Sequence, residues 1–193
     1  PAIKGKRPLN EKANNIFQAD AFNIGFFSPH EQYQPTPERV ALGKKLFYDP
    51  ILSQAGNRSC GSCHRPDLAF TDGLGVPHAI GGSTDLARNT PTLWNSALQN
   101  RLFYDSRADF LENQLNEVIH NEAEMKGSLK QSAAHLENHP VYAPLFRKAY
   151  SGERDPVTPF TIANAISSYM RTLIALNSKF DQHMRNEAEL SKD

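Results

Sequence analysis

Apolar residues recur at helical spacing in several separate stretches, and no stretch alternates at period two. In "DFLENQLNEVIHNEAEM", Phe110, Leu111, Leu115, Val118 and Ile119 fall on one helical face. The strongest pattern is "TPFTIANAISSYMRTLIAL", where Ile162, Ile166, Tyr169, Met170, Leu173 and Ile174 share a face. Thr158 stands there as N-cap and Pro159 as first helical residue. Thr36 and Pro37 repeat that opening before "ERVALGKKLFYD". "SLKQSAAHLEN" and "VYAPLFRKAY" predict two shorter helices, and Trp94 falls in a short helical piece, "PTLWNSAL". Residues 51–90, rich in Gly, Ser, Asp and Pro, predict loops. Residues 1–35 are polar without clear periodicity, although "NIFQADAFNIGFF" could pack onto something, and read as an N-terminal extension. The pattern predicts an all-α class with long ordered loops, with residues 36–193 as the domain.

Composition narrows the function. The 193 residues suffice for one domain with its own core. Lys plus Arg and Asp plus Glu both number 21, so the net charge is zero, and neither a basic stripe for nucleic acid nor an acidic tail is present. No apolar run approaches the length that crosses a bilayer. The chain starts at Pro1 with no charged-then-apolar leader, consistent with a signal peptide already removed or a late start.

The two cysteines of the chain stand together in "SCGSCHRP" as Cys60 and Cys63, with His64 next. A structural zinc site needs four ligands, and there is no second Cys pair. A thioredoxin-like dithiol needs a βαβ setting that the pattern does not predict. A disulfide across so small a loop stabilises little. Covalent haem attachment accounts for every residue: two thiols for the haem vinyls, two residues between them, and His64 beneath the iron as proximal ligand. Pro66 and Asp67 read as turn formers. A bound haem replaces apolar core, which explains so loop-rich a chain.

"LGKKLFYDPILS", "SCGSCH", "AFTDG", "RNTPTLWN", "FYDSRADFLENQ", "NEAEM" and "AISSYMRTLIALNSKFD" occur in this order. Over residues 36–185 the chain resembles the N-terminal, peroxidatic half of the bacterial di-haem cytochrome c peroxidase and MauG-type family. The resemblance implies a cytochrome c-like haem domain holding haem c, in which hydrogen peroxide reacts. It also implies a second haem domain fed by a small cytochrome or copper protein, and a periplasmic location. No second C-x-x-C-H follows, so that second domain is expected on a partner chain or on a missing part of the protein, unless the chain is a mono-haem relative.

The same resemblance assigns candidate residues. Glu124 matches the distal glutamate that moves the peroxide proton; read alone, Glu117, Glu122 and Glu124 would be a solvated helix end. Gln114 matches a second distal polar residue. Tyr104 stands where the family has an inter-haem Trp, and Asn89 matches a calcium ligand whose partners lie in the second half. Where many relatives place a second axial His, the alignment puts Gly82, which implies an open, five-coordinate iron; His78 could replace it only if the loop rearranged. Trp94 and Phe103 are expected to pack on the haem. Arg107 with Asp105, and likewise Arg88, either hold a haem propionate or lock a turn. His30, His120, His135, His139 and His183 read as surface residues. Met170 reads as core, and Met125 is not the iron ligand in the family; Met184 is a third candidate ligand for a His/Met-ligated carrier. Three functions compete: a peroxidase domain, a mono-haem electron carrier, and a MauG-type oxidase of a partner protein.

Overall fold

The computed structural model describes residues 34–79, 86–99 and 101–191. Among these residues the regular structure is helical, with only two isolated antiparallel bridges, Arg65 to Thr71 and Leu102 to Ala108. Seven α-helices follow in order: α1 (Pro37–Tyr48), α2 (Cys60–Cys63), α3 (Leu111–His120), α4 (Leu129–Glu137), α5 (Tyr142–Ala149), α6 (Pro159–Met170) and α7 (Lys179–Met184).

Helix α6 is the centre. Every residue from Thr161 to Met170 is buried, because α1, α3 and α4 all lie against it. Its apolar face supplies Ile162, Ile166 and Met170; its other sides carry Ala and Ser, which let neighbours come close. At Gly43 of α1 the approach reaches backbone: a Cβ there would sit 1.8 Å from the Ala165 carbonyl oxygen. Leu42, Leu46 and Phe47 of α1, Ile119 of α3, Leu136 of α4 and Phe146 of α5 complete the core.

Local signals set the helix starts. The Thr36 hydroxyl accepts from Arg39 N at 3.2 Å, and Thr158 and Thr161 cap α6 reciprocally. Two expectations from the sequence need correction. The piece around Trp94 is only a 3-10 turn, Ser96–Leu98, because Asn95 adopts a left-handed φ of 60° and breaks the helix before it forms. The strongest helix stops at Met170, short of Leu173 and Ile174. Beyond it the chain is stitched to the 93–95 loop: Leu173 O accepts from Asn95 N at 2.8 Å, and Asn95 Oδ1 accepts from Ala175 N at 2.7 Å.

Between α1 and α3 the loops are held by side-chain hydrogen bonds. Ser53 Oγ accepts from Asn57 N and Arg58 N, Thr90 donates to Asp72 at 2.9 Å, and Thr92 donates to Ala69 O at 2.6 Å. All but the Thr90–Asp72 bond, which joins two side chains, satisfy polar backbone that no ladder serves.

Candidate functional site

Cys60 and Cys63 are both free thiols, one helical turn apart on α2. Cys60, Trp94 and Phe103 are each partly buried against the hydrophobic core. Between the thiols, Gly61 lies against the Tyr48 ring, and a Cβ would fall 2.5 Å from Tyr48 Cδ1. Desolvation pushes the Cys60 thiol up to about 12 and raises Cys63 as well.

His64 is the residue in which α2 ends. Its Nδ1 lies 2.9 Å from the Phe70 carbonyl oxygen, which can only accept, so Nδ1 carries the proton and the Nε2 lone pair is available to a metal. The loop 65–71 builds this contact. Phe70 N donates to Arg65 O at 2.7 Å, and Ala69 and Phe70 take left-handed φ of 55° and 57° to turn the chain back. Burial lowers the His64 pKa, and the Phe70 carbonyl opposes it. A neutral imidazole with its second nitrogen anchored suits an axial ligand. Two thiols on one turn, a glycine allowing close packing between them and an anchored His therefore fit a covalent haem.

Glu124 lies beyond the helix end, in the turns after α3, and is half-buried rather than solvated. Asn121 Nδ2 donates to its Oε1 at 2.8 Å, and Asn121 Oδ1 accepts from Ala123 N, so one side chain fixes both turn and carboxylate. Burial raises the Glu124 pKa; the Asn121 amide, Arg107 and Arg58 pull it back. Gln114 sits half-buried on α3.

Tyr104 is 65% exposed; its hydroxyl donates to Asn89 Oδ1 at 3.0 Å, and Arg88 lies over its ring at 4.9 Å. Arg107 donates to Asp105 at 2.8 Å and to Glu117 at 2.6 Å, and stacks on Phe103 at 3.5 Å, so it locks this turn. Asn89 offers one oxygen where calcium takes six to eight, so by itself it does not hold that ion. Gly82 lies outside the described residues, as does His30. His78 is exposed, its carbonyl accepting from both Arg58 Nη atoms at 3.3 Å.

Met125 and Met170 are both core, at 4% and 6% exposure, while Met184 is on the surface. His120, His135 and His183 are exposed as expected. His139 is not simply a surface residue: it is half-buried, and its Nδ1 accepts from Val141 N at 3.2 Å and Tyr142 N at 3.4 Å, capping α5. Sequence reasoning missed three elements around the site: the Phe70 carbonyl, the Asn121 clamp, and an interior ion pair between Glu112 and Arg171. Only Asn121, three residues before Glu124, had a local signal.

Residues 37–189 match the family described as di-haem cytochrome c peroxidase. The chain is 41% identical over 156 residues to the methylamine utilization protein MauG of Methylorubrum extorquens, covering 80% of this chain and 43% of that one. It is 33% identical over 193 residues to the cytochrome c551 peroxidase of Pseudomonas aeruginosa, covering 91% of this chain and 53% of that one. The chain thus spans about half the length of these relatives. Among solved structures, a MauG-like protein associated with microbial copper homeostasis superposes with a TM-score of 0.75 at 29% identity, over 83% of this chain and 47% of that one.

Proposed function

The chain belongs to the di-haem cytochrome c peroxidase family, and on that premise we propose that it is the peroxidatic haem domain, residues 36–193, of an enzyme that reduces hydrogen peroxide to water. The observation that carries this reading is the His64 Nδ1 to Phe70 O bond, which fixes the imidazole directly after the Cys60–Cys63 turn. Cys60 and Cys63 would hold haem c by thioethers, with His64 as axial ligand and Trp94 against the ring. When bound, the haem supplies an iron able to take peroxide and accept electrons one at a time.

The protein's own contribution is proton handling. The Glu124 carboxylate accepts the proton from the near oxygen of peroxide and returns it to the departing hydroxyl, and Gln114 offers a second polar contact. Asn121 holds Oε1, leaving Oε2 the freer oxygen. The Asn121 amide, Arg107 and Arg58 oppose the rise that burial imposes on the Glu124 pKa. Tyr104 is the exposed exit toward a second haem domain, which a small cytochrome or copper protein supplies with electrons. Asn89 becomes a calcium ligand only where that second domain adds the remaining oxygens. Maturation of haem c would need export, which supports a periplasmic location.

The 41% identity to a MauG protein favours a second reading, oxidation of a partner protein by the same site. A mono-haem electron carrier has no use for Glu124 clamped at such a centre. The test is direct. Haem should stay with the matured chain through acid–organic extraction, be lost from the Cys60→Ser, Cys63→Ser double variant, and give a Soret band that changes on mixing with peroxide. Haem that leaves with solvent, or a Soret band inert to peroxide, would end the proposal.

A further inference from the structure

Two tyrosines from opposite ends of the chain meet behind the haem-bearing turn. Tyr48 is the last residue of α1 and Tyr169 the penultimate residue of α6, and their hydroxyl oxygens are 3.2 Å apart. Tyr169 is 7% exposed, whereas Tyr48 is 40% exposed. The Tyr48 ring lies on the backbone of Gly61, between the two cysteines. Phe47 bridges inward, with its ring 5.2 Å from Tyr169 and 6.4 Å from Phe70, whose carbonyl holds His64.

The other buried phenols are anchored differently. Tyr142 donates to the Asp49 carboxylate at 2.6 Å, and Tyr150 to Thr161 O and Asn164 Oδ1, both at 2.9 Å. Those acceptors hold a hydroxyl in place. Tyr169 instead shares its hydrogen bond with a second phenol, in which either oxygen can donate, and that phenol reaches the surface. Oxidising a tyrosine releases its phenolic proton, so a buried tyrosine is readily oxidised only where an acceptor stands at hydrogen-bond distance.

We propose that Tyr48 and Tyr169 form a proton-coupled electron relay between the haem-bearing turn and solvent, independent of any second haem domain. The proposal rests on the peroxidatic reading above. Peroxide is the oxidant, and its reduction to water takes two electrons and two protons. In each passage the pair loses one electron to the haem that peroxide has oxidised. The Tyr169 proton shifts to the Tyr48 oxygen as the Tyr48 proton leaves to water; Tyr48 then gives one electron and the shared proton back to Tyr169, which leaves the radical on Tyr48 at the surface. A one-electron reductant in solution then returns the electron, and water returns the proton. No bond between heavy atoms forms or breaks in the relay.

The test mixes the haem-loaded chain with hydrogen peroxide without reductant. Tyrosyl radical is read by rapid-freeze electron paramagnetic resonance, and dityrosine-linked dimers are mapped by mass spectrometry. Phe keeps the ring packing, so Tyr48→Phe and Tyr169→Phe should retain haem content and helicity. Each should lower radical yield several-fold, and dimers joined through Tyr48 should vanish in the first and decline in the second. Tyr104→Phe, which removes a phenol hydrogen-bonded to Asn89 rather than to this pair, should leave the Tyr48 cross-link in place. A Soret change at the normal rate with radical yield and cross-link site unaltered in both variants overturns the relay. So does loss in Tyr48→Phe alone, which reduces Tyr48 to an oxidisable surface residue. A Soret band that does not respond at all refutes the peroxidatic reading, and the relay falls with it.

Discussion

Arg171 and Glu112 face each other as a two-pronged ion pair in the protein interior, Nη1 to Oε1 at 2.7 Å and Nη2 to Oε2 at 2.9 Å, with both side chains about 95% buried. Asn164 Nδ2 adds a bond to Glu112 Oε1 at 3.2 Å, and Tyr150 in turn donates to Asn164 Oδ1. The network ties the first turn of α3, the helix that carries Gln114, to the end of α6. Removing one partner strands a buried charge. Glu112→Leu or Arg171→Met should each destabilise the chain by about 3–5 kcal/mol in urea unfolding. The double variant should cost clearly less than the sum, and additive losses would show that the pair is not coupled.

Glycine at positions 43 and 61 should respond differently to alanine. At Gly43 the new Cβ would meet the Ala165 carbonyl, which belongs to a buried helix and cannot yield. At Gly61 it would meet the Tyr48 ring, which is partly exposed and can swing. Gly43→Ala should therefore destabilise by more than the ~1–3 kcal/mol of ordinary overpacking. Gly61→Ala should leave most of the stability but lower the haem-to-protein ratio after maturation. Tyr48→Ala in the same chain should restore that ratio. Equal thermal shifts for the two glycine variants would count against this account.

Glu124→Gln keeps size and polarity but cannot take a proton. It should slow the reaction of the ferric haem with peroxide by about 10²–10⁴-fold, with haem content and cyanide binding retained. Glu122→Gln, exposed in the same turn, is the control and should change little. The base form is the active one, so the wild-type rate should fall as pH drops through the Glu124 pKa. Burial sets that midpoint above the usual carboxylate range. Glu124→Gln should show no such limb, and stopped-flow bleaching of the Soret band reads both; a matching acid limb in the variant would falsify the assignment.

The family resemblance implies Gly82 in place of a second axial His, and on that proposal the ferric haem should be high-spin and bind cyanide or azide readily. Electronic and paramagnetic resonance spectra read the spin state. A low-spin spectrum that becomes high-spin in His78→Ala would make His78 the sixth ligand. A low-spin spectrum that survives in His78→Ala would point to another side chain.

Local chemistry made much of the fold readable in advance. Thr36–Pro37 and Thr158–Pro159 announce α1 and α6 because capping is satisfied within a few residues. The proposed roles of Cys60, Cys63 and His64 rest on local signal of the same kind, the spacing of the three residues. Glu112 was not. In the first turn of an amphipathic helix a glutamate ordinarily faces water, and its partner Arg171 stands 59 residues away. Glu124 had the opposite fate: the pattern extended α3 over it, but α3 stops at His120, and the turns that follow draw its carboxylate inward to Asn121.

What the sequence determined by itself is the helical class, the starts of α1 and α6 and the C-x-x-C-H motif proposed to attach haem, each carried by contacts within one or two turns of chain. Tertiary structure alone decided how those residues are held. The anchor of His64 is a backbone carbonyl, which has no residue signature, presented by Ala69 and Phe70 in left-handed conformations that no glycine announces. The Tyr48–Tyr169 contact joins residues 121 apart. It exists only because Gly43 lets α1 come against the backbone of α6, a closeness set by packing across the core.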